Sequence, residues 1–543
     1  MLNLSFVKYF FKSVFFVILV VVFYSCARIG RPEGGPKDLD APLLVIANPP
    51  YESTNFNEKE IQLEFNEFVK LKDINKQLIV SPPLKNPPLI TPQNTASKTI
   101  KIQILDTLAK NTTYIFNFGS TIEDNNENNK IEIFKYVFST GNYIDSLVTA
   151  GNIRDAFTKE TPKNSNVLLY NIDSSFTDSI VFNTKPNYVA NTLDSSNFNF
   201  TNLKQGKYLL IALQETSNDY IFNPKTDKIG FYPDTISLPK DSVLKKEIVL
   251  FNELQPYKFK RAKEVSKGKI VFGYEGLREN FNVKIISETP SDFKSISKFE
   301  KDKDSLNYWY TPFEVDSLNF VVSNANFIDS ISVKLNKKKI DTLIVNATIS
   351  NLLHFRDTLF FKSNNPVIQV DTGKIVITNK DTLAVPFASF IAKNENKIGL
   401  LFDKKQQENY KVTILPEAFS DIFGQKNDTL NYQFKTKELE DYGKITINIV
   451  NTESTNLIID LLEGKNNDKL VERRFVSASE SLVFDMLQPK TYYVRAIIDS
   501  NKNNKWDTGN YLLKQQPETI IYYEEALEVR ANYFIENTFT VKK

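Results

Sequence analysis

Short runs of alternating apolar and polar residues cover most of the chain from Leu43 onward. Ile61–Phe65 and Thr113–Phe118 are two of them, and turn-forming Asn, Asp, Gly and Pro residues bound each run. Such alternation is typical of half-buried strands, and no stretch of a dozen residues carries the period of an amphipathic helix. Strands that recur about every 8 to 12 residues without helices between them predict an all-β protein built from sandwiches.

Two pairs of segments repeat along the chain. The stretch 111–140 recurs loosely at 409–436, and each copy is predicted to be the last hairpin of a sandwich. The stretch 198–212 recurs at 482–496 as strand, turn and strand. The repeats predict five domains in the order A, B, C, A′ and B′. Sandwich A is expected at 42–141, B at 146–240, a β-rich middle domain C at 241–347, A′ at 348–437 and B′ at 442–543.

The N-terminus has the pattern of a lipoprotein signal peptide. Lys8 and Lys12 precede the apolar run Val14–Phe23, which is too short to span a bilayer, and Tyr24-Ser25-Cys26 follows at once. We therefore expect residues 1–25 to be removed, Cys26 to be lipidated, with palmitate among its acyl chains, and 26–41 to form a tether. The alternative is a single-pass anchor with an incidental cysteine.

Composition excludes several classes of function. The 67 basic and 65 acidic side chains leave a net charge of +2, which gives no overall field that would attract nucleic acid or an anionic membrane. Cys26 is the only cysteine, so the body of the protein has no disulfide and no thiol nucleophile. His354 is the only histidine and lies in an apolar, strand-like context, where a structural role is expected.

We therefore expect the protein not to be an enzyme. The 65 acidic residues would allow a carboxylate pair for glycoside hydrolysis, but no feature of the sequence selects one. Glu67, at the end of a predicted strand, is interpreted as an edge residue of sandwich A. Phosphate-binding glycine loops are absent from the sequence.

One loop in B′ has the spacing of a calcium loop. Asp499, Asn501, Asn503 and Asp507 place oxygen side chains at positions 1, 3, 5 and 9, while position 12 is Asn510 instead of the usual bidentate Glu. These residues predict a weak calcium site, with a dissociation constant on the order of 0.1 to 1 mM, and no required cofactor. The alternative, which we favour, is a polar turn whose Asx side chains bond to their own backbone.

An aromatic cluster in C is the second candidate for binding. Tyr308, Trp309 and Tyr310 are consecutive and could stack on sugar rings or bind a partner. Because side chains alternate along a strand, the three cannot all share one face. Core packing, for at least one of them, is the alternative that we favour.

Several segments resemble known bacterial families. Residues 41–140, with Phe65-Asn66-Glu67 ending a strand and Phe138-Ser139-Thr140 at the end, resemble the bacterial Ig-like domain of the SbsA type. Residues 146–235, through 151–156, 166–170 and the turn at 198–212, resemble prealbumin-like sandwiches called carboxypeptidase regulatory-like domains, and 442–543 repeats that ending. The whole arrangement is similar to Ig-like lipoproteins of Bacteroidetes.

The predicted anchor, the tandem sandwiches and the resemblance to Ig-like lipoproteins together predict a lipid-anchored scaffold of the outer membrane. We expect a rod of sandwiches that binds another envelope protein complex, in the export or assembly of outer-membrane proteins. A module for surface glycans or adhesion is the alternative. The basic residues after Cys26 favour the periplasmic face of the membrane, although the sequence leaves the cell-surface face open.

Overall fold

The computed structural model of the protein describes residues 38–192, 195–217, 219–242, 245–301, 303–325, 327–336, 338–464 and 469–542. Within them the fold is almost entirely β, in paired sheets, which confirms the predicted class of tandem sandwiches. Two compact units divide at Ile144 and Asp145. The predicted signal peptide and Cys26 lie outside the described residues. Among the residues that are described, no helix is long and apolar enough to cross a membrane.

The first unit is sandwich A. One sheet has the order β1–β2–β5–β4 with β7 beside β2, and the other has the order β3–β6–β8. Leu63, Ile100 and Phe116 are among the inward-facing residues of its core. The strands are β1 Leu44–Asn48, β2 Glu60–Leu71, β3 Ile79–Ser81, β4 Leu89–Thr91, β5 Ser97–Gln103, β6 Thr113–Gly119, β7 Ile122–Asp124 and β8 Phe134–Ser139, with helix α1 at Ile74–Gln77.

Sandwich B opens the second unit. Its strands are β9 Leu147–Asp155, β10 Asn166–Asn171, β11 Tyr188–Asn191, β12 Asn197–Leu203, β13 Gly206–Gln214, β14 Lys228–Phe231, β15 Ile236–Leu238 and β16 Lys246–Leu250, with a 3-10 helix at Asp178–Phe182. The sheets are β12–β9–β16 and β11–β10–β13–β14, with β15 beside β13. Strand β16 pairs parallel with β9, so residues 246–250, which the sequence predicts to lie in C, complete a sheet of B.

Domain C follows with two sheets, β17–β18–β21–β20 and β19–β22–β23. Phe272, Tyr308 and Phe320 pack in its core. The strands are β17 Lys258–Ser266, β18 Lys269–Glu275, β19 Asn282–Ile285, β20 Ser295–Phe299, β21 Ser305–Tyr310, β22 Ser317–Asn324 and β23 Phe327–Lys334.

Sandwich A′ repeats the strand order of A. Its strands are β24 Val345–Ala347, β25 Leu359–Ser363, β26 Val367–Val370, β27 Ile375–Thr378, β28 Ala388–Ile391, β29 Lys397–Leu401, β30 Asn409–Ile414, β31 Phe419–Asp421 and β32 Leu430–Lys435, with a 3-10 helix at Thr372–Lys374. The sheets are β24–β25–β29–β28, β27–β30–β32 and β26–β31. The single strand β2 of A corresponds to β25 and β26, which Pro366 separates because proline cannot donate to a sheet.

Sandwich B′ repeats B strand for strand. Its strands are β33 Gly443–Asn451, β34 Leu457–Glu463, β35 Lys469–Val476, β36 Glu480–Leu487, β37 Thr491–Ile498, β38 Ile520–Tyr522, β39 Leu527–Glu528 and β40 Phe534–Val541, after a 3-10 helix at Leu439–Asp441. The sheets are β36–β33–β40 and β35–β34–β37–β38, with β39 beside β37. The parallel pair of β33 with β40 is the counterpart of β9 with β16.

Contacts within the second unit link its four domains in a cycle. B meets C through Lys225 and Glu275 at 3.3 Å. C meets A′ where the Lys298 Nζ donates to the Glu395 carbonyl at 2.7 Å. A′ meets B′ where the His354 Nε2 lies 2.8 Å from the Met486 carbonyl oxygen. B′ returns to B through Lys514 and Asp178 at 2.5 Å, so these four domains are not a simple row.

Candidate functional site

The predicted calcium loop begins directly after β37. Asp499 is 4% exposed and its two carboxylate oxygens accept the backbone N–H groups of Asn503, at 3.1 Å, and Asn504, at 2.9 Å. Lys502 and Asn504 have positive φ angles of 64° and 61°, which Asn tolerates better than most residues. Asp499 therefore holds the loop in its tight turn.

The four predicted ligands do come together. The side-chain nitrogens of Asn501 and Asn503 donate to the Asp507 Oδ2 at 2.5 and 2.7 Å. The Asn503 Oδ1 accepts from the Lys505 N–H at 2.8 Å. Within the described residues, no group of three or more His, Cys, Asp or Glu side chains is placed to hold a metal ion. The side-chain oxygens of the loop thus accept hydrogen bonds from N–H groups of the same loop, which favours the Asx-turn alternative. Calcium binding stays a prediction.

Glu518 is a third carboxylate at this loop that the sequence did not reveal. Its oxygens accept the backbone N–H groups of Ser500, at 2.7 Å, and Asp507, at 3.2 Å. Burial, together with the charges of Asp507 and Asp499, raises the pKa of Glu518. It lies eleven residues past the loop motif, so only the folded hairpin places it here.

The rest of the loop packs against sandwich B. The Trp506 ring lies 4.9 Å from the Phe157 ring, and its Nε1 donates to the Glu518 carbonyl at 3.0 Å. The Tyr522 hydroxyl donates to the Phe157 carbonyl at 2.5 Å. Arg495 places its guanidinium 4.4 Å from the same Phe157 ring. The loop therefore links the two repeated sandwiches.

Tyr511 is the most deeply buried residue of this link. Its side chain is fully buried between Phe182 and Phe231 of B, with ring centroids at 6.4 and 5.7 Å. Its backbone N–H donates to the Glu253 Oε1 at 2.6 Å, and burial raises the pKa of Glu253. The contact is a packed interface.

A buried ion triad lies behind the same interface. Asp460, on β34, is completely buried and accepts from Arg473, at 2.7 and 3.0 Å, and from Arg495, at 3.0 Å. Both arginines lie on the neighbouring strands β35 and β37. The two guanidinium groups share one carboxylate, and both are hydrogen-bonded to it, so the triad is structural and nothing in it resembles a reacting group.

The predicted aromatic binding cluster is in the interior. Tyr308, Trp309 and Tyr310 are 4%, 2% and 1% exposed. Tyr308 and Tyr310 pack in the core of C, and Lys269 lies 5.1 Å above the Trp309 ring. None of these three rings exposes a face for a sugar to stack on, so the favoured interpretation of core packing is right and the candidate binding cluster is wrong.

The contacts of His354 and Glu67 are those of residues with a structural role. The His354 Nδ1 accepts from the Arg356 N–H at 3.1 Å, and its ring lies edge-on to Tyr442 at 4.9 Å. Burial and the charge of Asp124 raise the pKa of Glu67. In A′ the position of Glu67 is occupied by Asn365, which donates to the buried Asp421 at 2.9 Å.

The first unit carries an exposed apolar edge. Leu43 comes just before β1, and Val45 and Ile46 lie within it; the three are 67%, 60% and 54% exposed. β1 is the end strand of its sheet, and the register shifts between Leu44 and Ile46, which leaves Val45 as a bulged residue. We call Leu43, Val45 and Ile46 the apolar edge.

A family model matches part of the chain, within the first unit. Residues 38–140 match the bacterial Ig-like domain family. No curated protein matches the chain.

The solved structures that match the chain include surface and pilus proteins. The surface layer protein SbsC, domains 1–6, is 10% identical, with a TM-score of 0.15 over 90% of this chain and 67% of that one. The major pilin subunit of Bacillus cereus is 10% identical, with a TM-score of 0.14 over 73% and 100%. A mixed-linkage glucan utilisation protein of Bacteroides ovatus, in complex with a heptasaccharide, is 11% identical, with a TM-score of 0.18 over 70% and 94%. These values are too low for any argument about ligand or partner.

Proposed function

We propose that the protein is a non-catalytic, lipid-anchored accessory subunit of the outer membrane. It binds another envelope protein in the export or assembly of outer-membrane proteins, and the lipid is carried by Cys26. The apolar edge is the observation that supports binding to a protein. An edge strand exposes unpaired backbone groups beside its side chains, and proteins normally protect such strands with charge or proline.

The second sandwich, A′, folds without the bulged residue Val45 and with a polar residue in place of Ile46. β24 of A′ occupies the place of β1 but has three residues and no bulge. The pairing registers place Asn346 at the position of Ile46, since Ile46 pairs with Glu64 and Asn346 with the equivalent Lys362. Ile344, the counterpart of Leu43, is itself 54% exposed, so A and A′ differ at the bulged Val45 and at Ile46. These two apolar residues suit a partner strand.

A photo-crosslinking residue at Val45 tests the partner. In intact cells we expect it to crosslink to an envelope protein, and the same residue at Asn346 serves as the matched control. A double variant, Val45→Lys with Ile46→Lys, is expected to lose co-purification of that protein, whereas Asn346→Lys is expected to keep it. Equal crosslinking at both positions, or none at Val45, would contradict the proposal.

Replacing Cys26 tests the anchor separately. In Cys26→Ser we expect the protein to leave the membrane fraction and to lose incorporation of labelled palmitate. Protease treatment of intact cells then distinguishes the two faces of the membrane. Retention of Cys26→Ser in the membrane together with its N-terminal segment would favour a single-pass anchor.

A further inference from the structure

The edge strand β17 of domain C carries a row of positive charge. Lys258, Lys260, Arg261 and Lys263 are all exposed, and no acidic residue lies among them. The inward positions between them are Phe259 and Ala262, which pack on the core of C. The register shifts between Phe259 and Arg261, so Lys260 is an extra residue and two neighbouring cations face outward.

The end of β23 and the residues after it extend this row. β23 lies beside β17, because the Phe327 ring is 6.4 Å from the Phe259 ring and the Asn336 N–H donates to the Glu264 Oε2 at 2.6 Å. Lys334 and Lys339 are exposed next to this junction. We call Lys258, Lys260, Arg261, Lys263, Lys334 and Lys339 the basic edge.

Little negative charge balances the basic edge. Lys260 pairs with Glu275 at 2.6 Å, and Glu275 is shared with Lys225 of B. Among the described residues, no carboxylate lies within 4.0 Å of the other five cations of the edge, and Asp329 is an exposed acid on β23. Residues 258–340 hold 16 basic and 11 acidic side chains, so C is distinctly more basic than a chain whose net charge is +2.

Exposed apolar residues accompany the charges. Val265 on β17 and Ile328 on β23 are 41% and 73% exposed. Alternate residues of a strand are roughly 7 Å apart, so the cations form a line of separate charges and do not converge on one small anion. Five of the six are lysines, whose long stems can lie along an apolar layer while the ammonium group stays in water.

We propose that the basic edge is a peripheral contact of domain C with anionic lipid headgroups. A line of cations beside exposed Val265 and Ile328 matches a surface that is negative at its headgroups and apolar below them. This contact goes beyond the proposed function and does not depend on Cys26 or on the apolar edge. It would orient the second unit against a membrane.

Vesicle binding tests the contact. The chain from residue 38 onward holds every strand described and lacks the predicted anchor. We expect it to co-sediment with vesicles of phosphatidylglycerol and phosphatidylcholine at low salt, and not with phosphatidylcholine alone. Binding should weaken as salt rises, because screening shortens the reach of exposed charges. The variant Lys258→Gln, Lys260→Gln, Arg261→Gln, Lys263→Gln should weaken binding by at least 100-fold, given about fivefold for each cation.

The control variant removes the same charge elsewhere. Lys362, Lys393, Lys411 and Lys435 are exposed on A′, and their change to Gln alters net charge equally. We expect this variant to bind vesicles like the unchanged chain, and both variants to keep its melting temperature. Equal weakening by the two variants would show a general charge effect and overturn the proposal.

Two further results would also overturn it. Lysines on edge strands can serve only to prevent edge-to-edge association. In that case the β17 variant would aggregate on its own while vesicle binding would be absent from the unchanged chain. Retention on heparin without binding to vesicles would instead indicate a soluble polyanion as the partner of the basic edge.

Discussion

At the residue scale, the ion triad of B′ has an apolar counterpart in B. The registers align Asp460, Arg473 and Arg495 with Leu168, Val189 and Ile211, because Ile459 pairs with Ala496 as Val167 pairs with Ala212. The same sheet therefore accepts either three charges or three aliphatic side chains. The pattern of the sequence could not show this, since burial of Asp460 depends on the interface with B.

Asp460→Leu alone should be strongly destabilising, because it leaves Arg495 buried without its partner. We expect a loss of about 3 to 5 kcal/mol in the free energy of unfolding, measured with urea. The triple change Asp460→Leu, Arg473→Val, Arg495→Ile imports the residues of B and should recover most of that loss, because well-packed apolar residues often replace a buried ion pair without cost. A triple variant as unstable as the single one would contradict this expectation.

Glu518 predicts a pH dependence of stability. Its pKa is raised in the folded protein by burial and by Asp507 and Asp499, so folding favours the protonated form. Glu518 therefore contributes most stability below its unfolded pKa, and that contribution is lost as pH rises through the folded pKa. Relative to Glu518→Gln, the unchanged protein should gain stability as pH falls from 7 toward about 4.

Urea unfolding of both proteins at several pH values measures that difference. A difference that stays constant with pH would contradict the prediction. Repeating the series with 5 mM calcium also tests the predicted metal site, because a bound cation would keep Glu518 ionised and reverse the trend. The Asx-turn alternative expects calcium to have no effect.

At the element scale, the alternation and the repeats in the sequence predict where the strands lie but not which strand completes each sheet. Ile61–Phe65 and Thr113–Phe118 fall within β2 and β6, and the repeated hairpins 198–212 and 482–496 fall on β12–β13 and β36–β37. Alternation cannot identify a parallel partner far along the chain. The predicted end of B at 240 therefore left out β16, which pairs with β9 about 95 residues earlier.

A substitution at Ile248 tests whether β16 belongs to B or to C. Ile248 is completely buried, and Ile248→Ala should lower the free energy of unfolding by about 2 to 5 kcal/mol. Hydrogen exchange should show lost protection in β9 and β10 of B before any loss in β18 of C. Leu254→Ala, at an exposed position just past β16, should change neither the free energy of unfolding nor the protection of these strands. Early loss of protection in C would instead assign the strand to that domain.

At the scale of the second unit, the contact between B and B′ replaces the expected rod with a cycle. B and B′ are separated in sequence by two domains, yet the 499–518 loop joins them through Tyr511, Trp506 and hydrogen bonds to Asn252 and Phe231. A pattern of strands carries no information on such a contact, because Tyr511 lies in a polar loop. Only the fold brings its ring between Phe182 and Phe231.

The cycle predicts that B′ stays bound when the chain is cut. With a protease site inserted after Lys437, the cleaved fragments should co-elute in size-exclusion chromatography at low micromolar concentration. Tyr511→Ala removes a fully buried ring from the interface, at a cost of about 3 to 5 kcal/mol, so the B′ fragment should then elute separately. Tyr533→Ala, at an exposed position of B′, is the matched control and should behave like the unchanged chain. If the unchanged fragments separate on cleavage, the loop contact is too weak to close the cycle, and B′ is held to its neighbours chiefly by the chain itself.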